Sequence, residues 1–189
     1  VKMWESTAIK LLYDQGLVQG TSETTFSPDT IMTRGMLVTV LGRMAEINEE
    51  DYRKSTFEDV QASDYFAPFV SWAYDAGIVK GTTEKTFSPD DPVTREQTVI
   101  ILSRFAEAKG LSFFVDDGNK PLSFAEIQKY DLTDIQNTSE EFQERYPAVY
   151  DGCFPLHGKD GTDRFKPASG MTREEAADVL ASVWDLLLD

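Results

Sequence analysis

The sequence contains one cysteine, Cys153, and one histidine, His157, among its 189 residues. A single cysteine cannot form a disulfide within the chain, which excludes a disulfide-stapled scaffold but does not fix the cellular compartment. A catalytic or metal-binding pair of Cys153 and His157 would need partner residues that the sequence does not show. We therefore interpret both residues as incidental and predict neither a metal site nor a cofactor.

Basic residues are also scarce. Eighteen lysines and arginines stand against 33 acidic residues, which gives a formal net charge of -15. Such a chain repels nucleic acids and anionic membranes at long range, so we expect no nucleic-acid partner. An anionic ligand would have to be held by a few local cations.

Long hydrophobic runs are absent as well. No apolar stretch approaches the length of a membrane span, so we expect no membrane insertion. The opening "VKMWES" has neither an initiator methionine nor a signal peptide, so we expect a mature or excised fragment. Hydrophobic residues nevertheless make up 41% of the chain, with 12 phenylalanines, which is enough for a packed core.

A long stretch of the sequence occurs twice, without gaps, at a constant offset. The first occurrence is "GLVQGTSETTFSPDTIMTRGMLVTVLGRMAE" (16–46), and the second is "GIVKGTTEKTFSPDDPVTREQTVIILSRFAE" (77–107). Similarity at a fixed spacing is the signature of a repeat protein. The offset pairs Gly16 with Gly77, Gly20 with Gly81, Phe26 with Phe87, Pro28 with Pro89, Thr33 with Thr94, and Arg34 with Arg95.

A fainter third copy follows. "RFKPASGMTREEAADVLASVW" (164–184) aligns with the second copy when Phe165 is placed on Phe87, whereas "LTDI" (132–135) aligns with "FEDV" (57–60) at a slightly shorter spacing. The difference predicts three extra residues in the loop 153–164, where the Gly-Ile-Val-x-Gly pattern is missing. We therefore divide the chain into a truncated first copy (1–47), a linker (48–56), a second copy (57–108), a joint with a short helix at about 123–130 (109–131), and a divergent third copy (132–189).

Each copy has the pattern helix, glycine stop, loop, second helix. The first helices are predicted at about 4–15, 64–76 and 139–151, each followed by a glycine that can adopt positive φ as a helix cap. The second helices begin at a threonine, and apolar residues then recur at helical spacing. These residues are Val40, Leu41, Met44, Ile101, Leu102, Phe105, Val179, Leu180 and Val183. Three equivalent stripes predict an all-α fold of three tandem helix-loop-helix repeats around a pseudo-threefold, central three-helix bundle.

Each second helix starts with a Thr-Arg pair. The threonine is explained as an N-cap, and Gln97 and Glu175 can complete capping boxes. The arginine opposes the helix dipole, yet Arg34, Arg95 and Arg173 recur at equivalent positions. Free helix N–H groups beside a guanidinium would form a pocket for a carboxylate or phosphate. A structural salt bridge to a neighbouring acid is the alternative explanation.

Together, the FxDV motif, a helix with an aromatic residue, "GIVKG", "FxP" and a "TRAE"-like helix start resemble the S-layer homology domain. The second copy resembles it throughout, the first from about Trp4 to Ile47, and the third, in divergent form, over 132–187. The resemblance implies a three-pronged spindle around a central helical bundle. It also implies an extracellular protein that binds non-covalently to anionic, often pyruvylated, secondary cell-wall polymers and so anchors a surface protein to the bacterial wall.

The resemblance further implies that grooves between the prongs bind the polymer. The residues carried over to such grooves are Arg34, Arg95, Arg173, Gly20, Lys80, Gly81 and Trp72. Of these grooves, we expect the one that uses Arg95 to be the most competent. Two of the assignments have simpler readings, because Trp72 suits a helix core and Lys80 suits a solvated surface.

Two other functions stay open from the residues. The repeats could form a structural or protein-interaction module of a cell-surface assembly that binds no glycan. A hydrolase is the third possibility, but no marked pair of carboxylates, phosphate-binding glycine loop or nucleophile elbow is present. We therefore expect no enzyme activity from this chain, and the sequence indicates no particular oligomeric state.

Overall fold

A computed structural model describes residues 6–22, 24–111, 123–125, 127, 134–150 and 164–188. The described residues form helices and isolated β-bridges but no strand, which confirms the predicted all-α class. The helices are α1 (Thr7–Asp14), α2 (Arg34–Met44), a 3₁₀ helix (Glu49–Tyr52), α3 (Ala67–Asp75), α4 (Arg95–Lys109), α5 (Glu140–Tyr150) and α6 (Arg173–Leu188). Within this part of the chain, no helix has the length and apolar character of a membrane span.

The first helix of each copy lies where the sequence predicted it. Helices α1 and α3 end just before Gly16 and Gly77, whose φ angles of 72° and 71° are in the left-handed region. Glycine tolerates that region because it has no Cβ, so both glycines cap their helices as expected. Gly152 lies outside the described residues. In the predicted joint helix (123–130), residues 124, 125 and 127 are helical and residue 123 is not, while residues 126 and 128–130 lie outside the described residues.

The predicted threonine caps are confirmed. The Thr33 hydroxyl accepts a hydrogen bond from the third residue of α2, and Thr94 and Gln97 form a complete capping box at α4. Thr172 and Glu175 form the same reciprocal pair at α6, at 3.2 Å and 2.9 Å. Because each cap satisfies N–H groups that lack partners within the helix, these threonines fix where α2, α4 and α6 begin.

The nine residues of the apolar stripes are all buried, with exposed fractions of 5% or less. Helix α2 packs against α3, and helix α4 packs against α5. A helix that buries one apolar stripe draws most of its stability from such packing. The stripes are therefore core residues, as the spacing indicated, while the spindle arrangement stays a prediction.

The chain divides into two compact units. The first comprises 1–93 and 171–181, and the second comprises 94–170 and 182–189. The unit boundaries fall inside the copies that the sequence predicted, because the start of α6 belongs to the first unit and the rest of that helix to the second. The cavity described below is built from residues of the first unit.

Candidate ligand-binding cavity

The three repeated arginines are buried and share one backbone contact. Their exposed fractions are 5% for Arg34, 5% for Arg95 and 7% for Arg173. Each Nε donates to the carbonyl oxygen of the phenylalanine in an FxP turn, and each guanidinium also lies against that phenylalanine's ring. The acceptors are Phe87 for Arg34 at 2.9 Å, Phe165 for Arg95 at 2.6 Å, and Phe26 for Arg173 at 3.1 Å. The guanidinium carbons lie 4.5, 5.4 and 4.4 Å from the three ring centroids, in the same order.

The aspartate of the FxDV motif holds the turn that presents this carbonyl. Both carboxylate oxygens of Asp59 accept backbone N–H groups, from Phe87 at 2.8 Å and from Ser88 at 2.7 Å. Ser88 has a positive φ of 57°, a conformation that is costly for a residue with a side chain. The two charge-assisted hydrogen bonds that the carboxylate accepts offset that cost. Asp134 makes the same pair of contacts, with Phe165 at 2.8 Å and Lys166 at 2.8 Å, so the third copy repeats the arrangement.

Two of the guanidinium groups also reach the glycine-rich loop. The Nη2 of Arg34 donates to the Lys80 carbonyl at 3.0 Å, and the Nη2 of Arg173 donates to the Gln19 carbonyl at 2.7 Å. Gly81 follows Lys80, and a Cβ there would lie 2.2 Å from the Thr83 carbonyl oxygen. This close approach requires glycine and gives the second glycine of the loop a structural role. A Cβ at Gly20 would be 2.5 Å from the Ser22 carbonyl oxygen, so the first copy has the same requirement.

The expected anion site at the helix N-termini is wrong in one respect. The first two N–H groups of α2 donate to the carbonyls of Asp91 and Pro89, at 3.0 and 2.8 Å. The equivalent groups of α4 and α6 also donate to carbonyls. Their acceptors are Ser169, Pro167, Thr30 and Pro28. Because the FxP turns take up these donors, a ligand anion would have to be held by side chains.

A cavity of about 250 Å³ lies beside Arg173. It is lined by Val18, Gln19, Gly20, Thr21, Phe26, Met32, Met36, Thr39, Val40, Arg43, Tyr65 and Arg173. Two of these residues are cations and none is a carboxylate. In a chain with a net charge of -15, such a lining makes the cavity a local positive site.

Arg173 has less internal charge compensation than Arg34. Burial lowers its pKa from the ordinary value, and the Tyr65 hydroxyl offsets this only in part. The pKa of Arg34 is also lowered by burial, but two carboxylates, Asp91 and Asp59, offset that effect. Among the described residues, no carboxylate pairs with Arg173. Its Nη1 instead faces the sulfur of Met36 at 3.7 Å, a weak acceptor. A ligand carboxylate would therefore gain a strong partner here.

Tyr65 is the aromatic residue at this cavity, and the sequence analysis missed it. Its side chain is 57% exposed and lies edge-to-face on the buried Phe66 ring, with centroids 5.0 Å apart. Burial raises the pKa of its hydroxyl, with a smaller contribution from Asp90, while Arg173 and Arg43 act in the opposite direction. The signal in the sequence that could have indicated Tyr65 is its position just before the apolar start of α3. Such an exposed, fixed ring can stack on a sugar.

The remaining predicted site residues lie elsewhere. Trp72 is in α3 with only 7% of its surface exposed, which is the core position that burial favours for tryptophan, and it does not line the cavity. Lys80 is exposed, as its surface reading indicated, and it contributes its carbonyl to Arg34. Arg95 makes its contact with Phe165, and most of the loop 153–164 lies outside the described residues. Ligand contacts by Trp72, Lys80 and Arg95 stay predictions.

Comparison with known proteins identifies the repeats. The family model of the S-layer homology domain matches residues 1–35 and 56–99. The match includes the first-copy glycine loop and, in the second copy, the FxDV motif, the glycine loop and the FxP turn. It does not extend to the third copy, so the number of repeats stays a prediction.

Several curated proteins resemble the chain. An endoglucanase of Bacillus sp. (strain KSM-635) is 31% identical over 187 residues, which cover 95% of this chain and 18% of that protein. A surface layer protein of Brevibacillus choshinensis is 32% identical over 99 residues, or 51% of this chain and 9% of that protein. A cellulosome-anchoring protein of Acetivibrio thermocellus is 27% identical over 108 residues, or 55% of this chain and 24% of that protein.

The chain thus spans less than a quarter of the length of each of these three relatives. By name these relatives are an enzyme, a surface layer protein and a cellulosome-anchoring protein. Through residues 1–35 and 56–99, the chain belongs to the S-layer homology domain family.

Proposed function

We propose that this chain anchors a surface protein to the bacterial cell wall by binding an anionic wall polysaccharide non-covalently. The observation that carries the proposal is the cavity beside Arg173, whose described lining residues include two arginines and no carboxylate. A polymer that bears a carboxylate, such as a pyruvylated glycan, matches this charge. No catalytic step is part of the proposal.

The two arginines have complementary positions in the cavity. Arg173 donates to the Phe26 and Gln19 carbonyls, and Arg43 donates to the Leu17 carbonyl at 3.2 Å. Guanidinium groups fixed in this way lose little further side-chain entropy on binding. They can therefore hold a carboxylate by several charge-assisted hydrogen bonds.

The other walls of the cavity suit a sugar ring. Tyr65 offers an exposed aromatic ring, and Thr21 and Thr39 also line the cavity. Val18 and Met32 contribute apolar surface. Sites of this kind combine mostly apolar walls with a few polar groups that fix the orientation of the ligand. The ligand that fits best is therefore a sugar with one acidic substituent directed at Arg173 and Arg43.

The location at the cell wall is inferred from the relatives of the chain. The relatives that match this chain include proteins named as surface layer and cellulosome-anchoring proteins. A polymer-binding module at the cell surface would hold such proteins, or an enzyme such as the endoglucanase, at the wall. The partner of this chain is therefore a wall glycan, and its location is the outside of the bacterial cell.

The decisive variant is Arg173→Lys. Lysine keeps the positive charge but loses the planar fork that binds a carboxylate by two parallel hydrogen bonds. We expect the affinity for purified wall polymer, stripped of protein, to fall about 10-fold or more, which corresponds to the loss of about one charge-assisted hydrogen bond. Isothermal titration calorimetry measures the affinity, and circular dichroism verifies the helix content.

Arg34→Lys is the matched control. Arg34 makes the same two backbone contacts as Arg173, to a phenylalanine carbonyl and to a glycine-loop carbonyl, but it does not line the cavity. Both variants should lose similar stability, and only Arg173→Lys should lose polymer binding. Equal affinity losses in the two variants would assign the arginines a structural role alone and would contradict the proposal.

The protein-interaction alternative has a separate test. Wall fragments stripped of protein should retain the wild-type chain in a sedimentation assay. If only fragments that keep their proteins retain it, the partner is a protein and the glycan assignment is wrong.

A further inference from the structure

The first and second copies carry an arginine at the same position of their second helix. The offset that pairs Gly16 with Gly77 also aligns Arg43 in α2 with Arg104 in α4. The two helices belong to equivalent pairs, because α2 packs against α3 and α4 packs against α5. The surroundings of the two arginines can therefore be compared position by position.

The contacts that hold Arg43 are to neutral groups. Its Nη1 donates to the Leu17 carbonyl, and its guanidinium carbon is 5.9 Å from the centroid of the Phe69 ring. Within the part of the chain that the structure describes, no carboxylate lies at salt-bridge distance from it. Arg43 can accordingly direct its charge into the cavity that it lines.

Arg104 is paired with a carboxylate of its own chain. Its Nε donates to Glu141 Oε1 at 2.8 Å, and its Nη2 donates to Glu141 Oε2 at 2.6 Å. The exposed fractions of the two side chains are only 10% and 31%. A two-point pair that is largely shielded from water is much stronger than an exposed ion pair.

A second arginine fixes this carboxylate in place. Arg145 Nε donates to Glu141 Oε1 at 3.0 Å, and Arg145 Nη1 pairs with Glu107 at 2.9 Å. Burial alone would lower the pKa of Arg145, but its hydrogen bonds and charge interactions with Glu107 and Glu141 outweigh burial and raise it. Glu141 is therefore held by two cations and does not swing freely away from Arg104.

The sequence shows what Glu141 replaces. The offset that aligns "FEDV" of the second copy with "LTDI" of the third also aligns Tyr65 and Phe66 with Glu140 and Glu141. The aromatic pair at the start of α3, whose first member lines the cavity, is thus an acidic pair at the start of α5. Tyr65, which lines the cavity, thus corresponds to Glu140, whereas Glu141 takes the place of the buried Phe66. A carboxylate therefore stands in the third copy where the second copy has a buried ring.

We propose that Glu141 is an internal counter-ion that prevents Arg104 from holding the carboxylate of a wall polymer. The first copy's helix then binds the anion through Arg43, and the second copy's helix does not. This specificity role rests on the proposed function for the nature of the ligand. The pairing itself, in which a carboxylate of the chain takes the place of a ligand carboxylate, involves only Arg104 and Glu141 and does not depend on the identity of the ligand.

The test replaces Glu141 by glutamine in the full chain. The matched control is Glu140→Gln, which removes the same charge from the neighbouring exposed residue of α5. The probe is a monosaccharide glycoside that carries one pyruvate ketal. The readout is the assigned Nε–Hε signals of Arg43, Arg104 and Arg173 in two-dimensional NMR spectra during titration with the probe.

In the wild type and in Glu140→Gln, the Arg104 signal should stay unchanged while those of Arg43 and Arg173 shift. In Glu141→Gln, the Arg104 signal should shift as well, over the same probe concentrations that shift the Arg43 signal, since a charge-assisted competitor has been removed. Glu141→Asp, which keeps the charge, should leave the Arg104 signal closer to the wild type than to Glu141→Gln.

Two results would overturn the inference. One is an Arg104 signal in Glu141→Gln that responds no more than in Glu140→Gln. The other is a wild-type Arg104 signal that shifts together with that of Arg43. The proposed function fails separately, if Arg43 and Arg173 do not respond in any variant. A response of Arg104 in Glu141→Gln would then still support the role of Glu141.

Discussion

Asp59→Asn is the substitution that most directly tests how the buried arginines are positioned. The carboxylate of Asp59 accepts the N–H groups of Phe87 and Ser88, which lie on either side of the carbonyl that receives Arg34. It also offsets part of the burial cost of the Arg34 charge. One side chain therefore supports both the strained turn and the arginine that binds to it.

The magnitude follows from the two hydrogen bonds. Each bond to an ionised carboxylate contributes about 1.5–3 kcal/mol, whereas a neutral amide oxygen contributes about 1 kcal/mol. Asparagine has one oxygen, so its NH₂ group faces the second backbone N–H and leaves that donor unsatisfied. We expect the free energy of unfolding to fall by about 2–4 kcal/mol, a large share of the roughly 5–15 kcal/mol available to a native protein.

Urea denaturation followed by circular dichroism measures this loss. With a slope of about 2 kcal/mol per molar, the middle of the usual range for urea, the midpoint should fall by about 1–2 M. Asp64→Asn is the matched control, because Asp64 accepts one backbone N–H, that of Gln61 at 2.8 Å, in an exposed turn. If Asp59→Asn changes stability by no more than Asp64→Asn does, the turn does not depend on the carboxylate and the reasoning is refuted.

Two further outcomes test the cavity and the loop beside it. Tyr65→Ala should lower the affinity for wall polymer several-fold, by about the 0.5–1.5 kcal/mol of a lost ring contact. It should change stability little, because the side chain is 57% exposed. An unchanged affinity in calorimetry would show that the ring does not contact the sugar. Gly81→Ala should lower the free energy of unfolding by about 1–3 kcal/mol, because the new Cβ would lie 2.2 Å from the Thr83 carbonyl oxygen. A melting temperature equal to that of the wild type would contradict this, because it would show that the loop can shift without losing stability.

The helices and their ends were accessible to sequence reasoning because their causes are local. A threonine caps the first turn that follows it, and a glycine ends the helix that precedes it, through contacts within a few residues. The nine apolar positions were also predicted correctly, since helical spacing alone places them on one face. Local chemistry thus gave the fold class and the place of the three arginines.

The partners of those arginines were not accessible in this way. The sequence offered a ligand anion or a neighbouring acid as the partner of each guanidinium. The structure instead shows backbone carbonyls 53, 70 and 147 residues away as acceptors. A carbonyl has no signature in the sequence, because every residue has one and only the folded chain decides which of them meets the arginine.

The aromatic residue beside the cavity was not accessible from the sequence for a related reason. Trp72 and Tyr65 lie in the same short segment, and both have the chemistry of a sugar platform. Their exposed fractions, 7% and 57%, depend on which face of α3 packs against α2 and on where that helix begins. The sequence could propose an aromatic residue at the site but could not choose between the two.

The sequence by itself determined the repeated helix-loop-helix units, their caps and their apolar stripes, because these depend on interactions between residues close together in the chain. It also determined that the chain is strongly acidic and that any anion site must be local. Only the tertiary structure decided which arginines face a cavity, which are paired with carboxylates such as Glu141, and which ring lies beside them. These properties arise from contacts between segments far apart in the chain, and burial and charge compensation exist only after those segments have packed together.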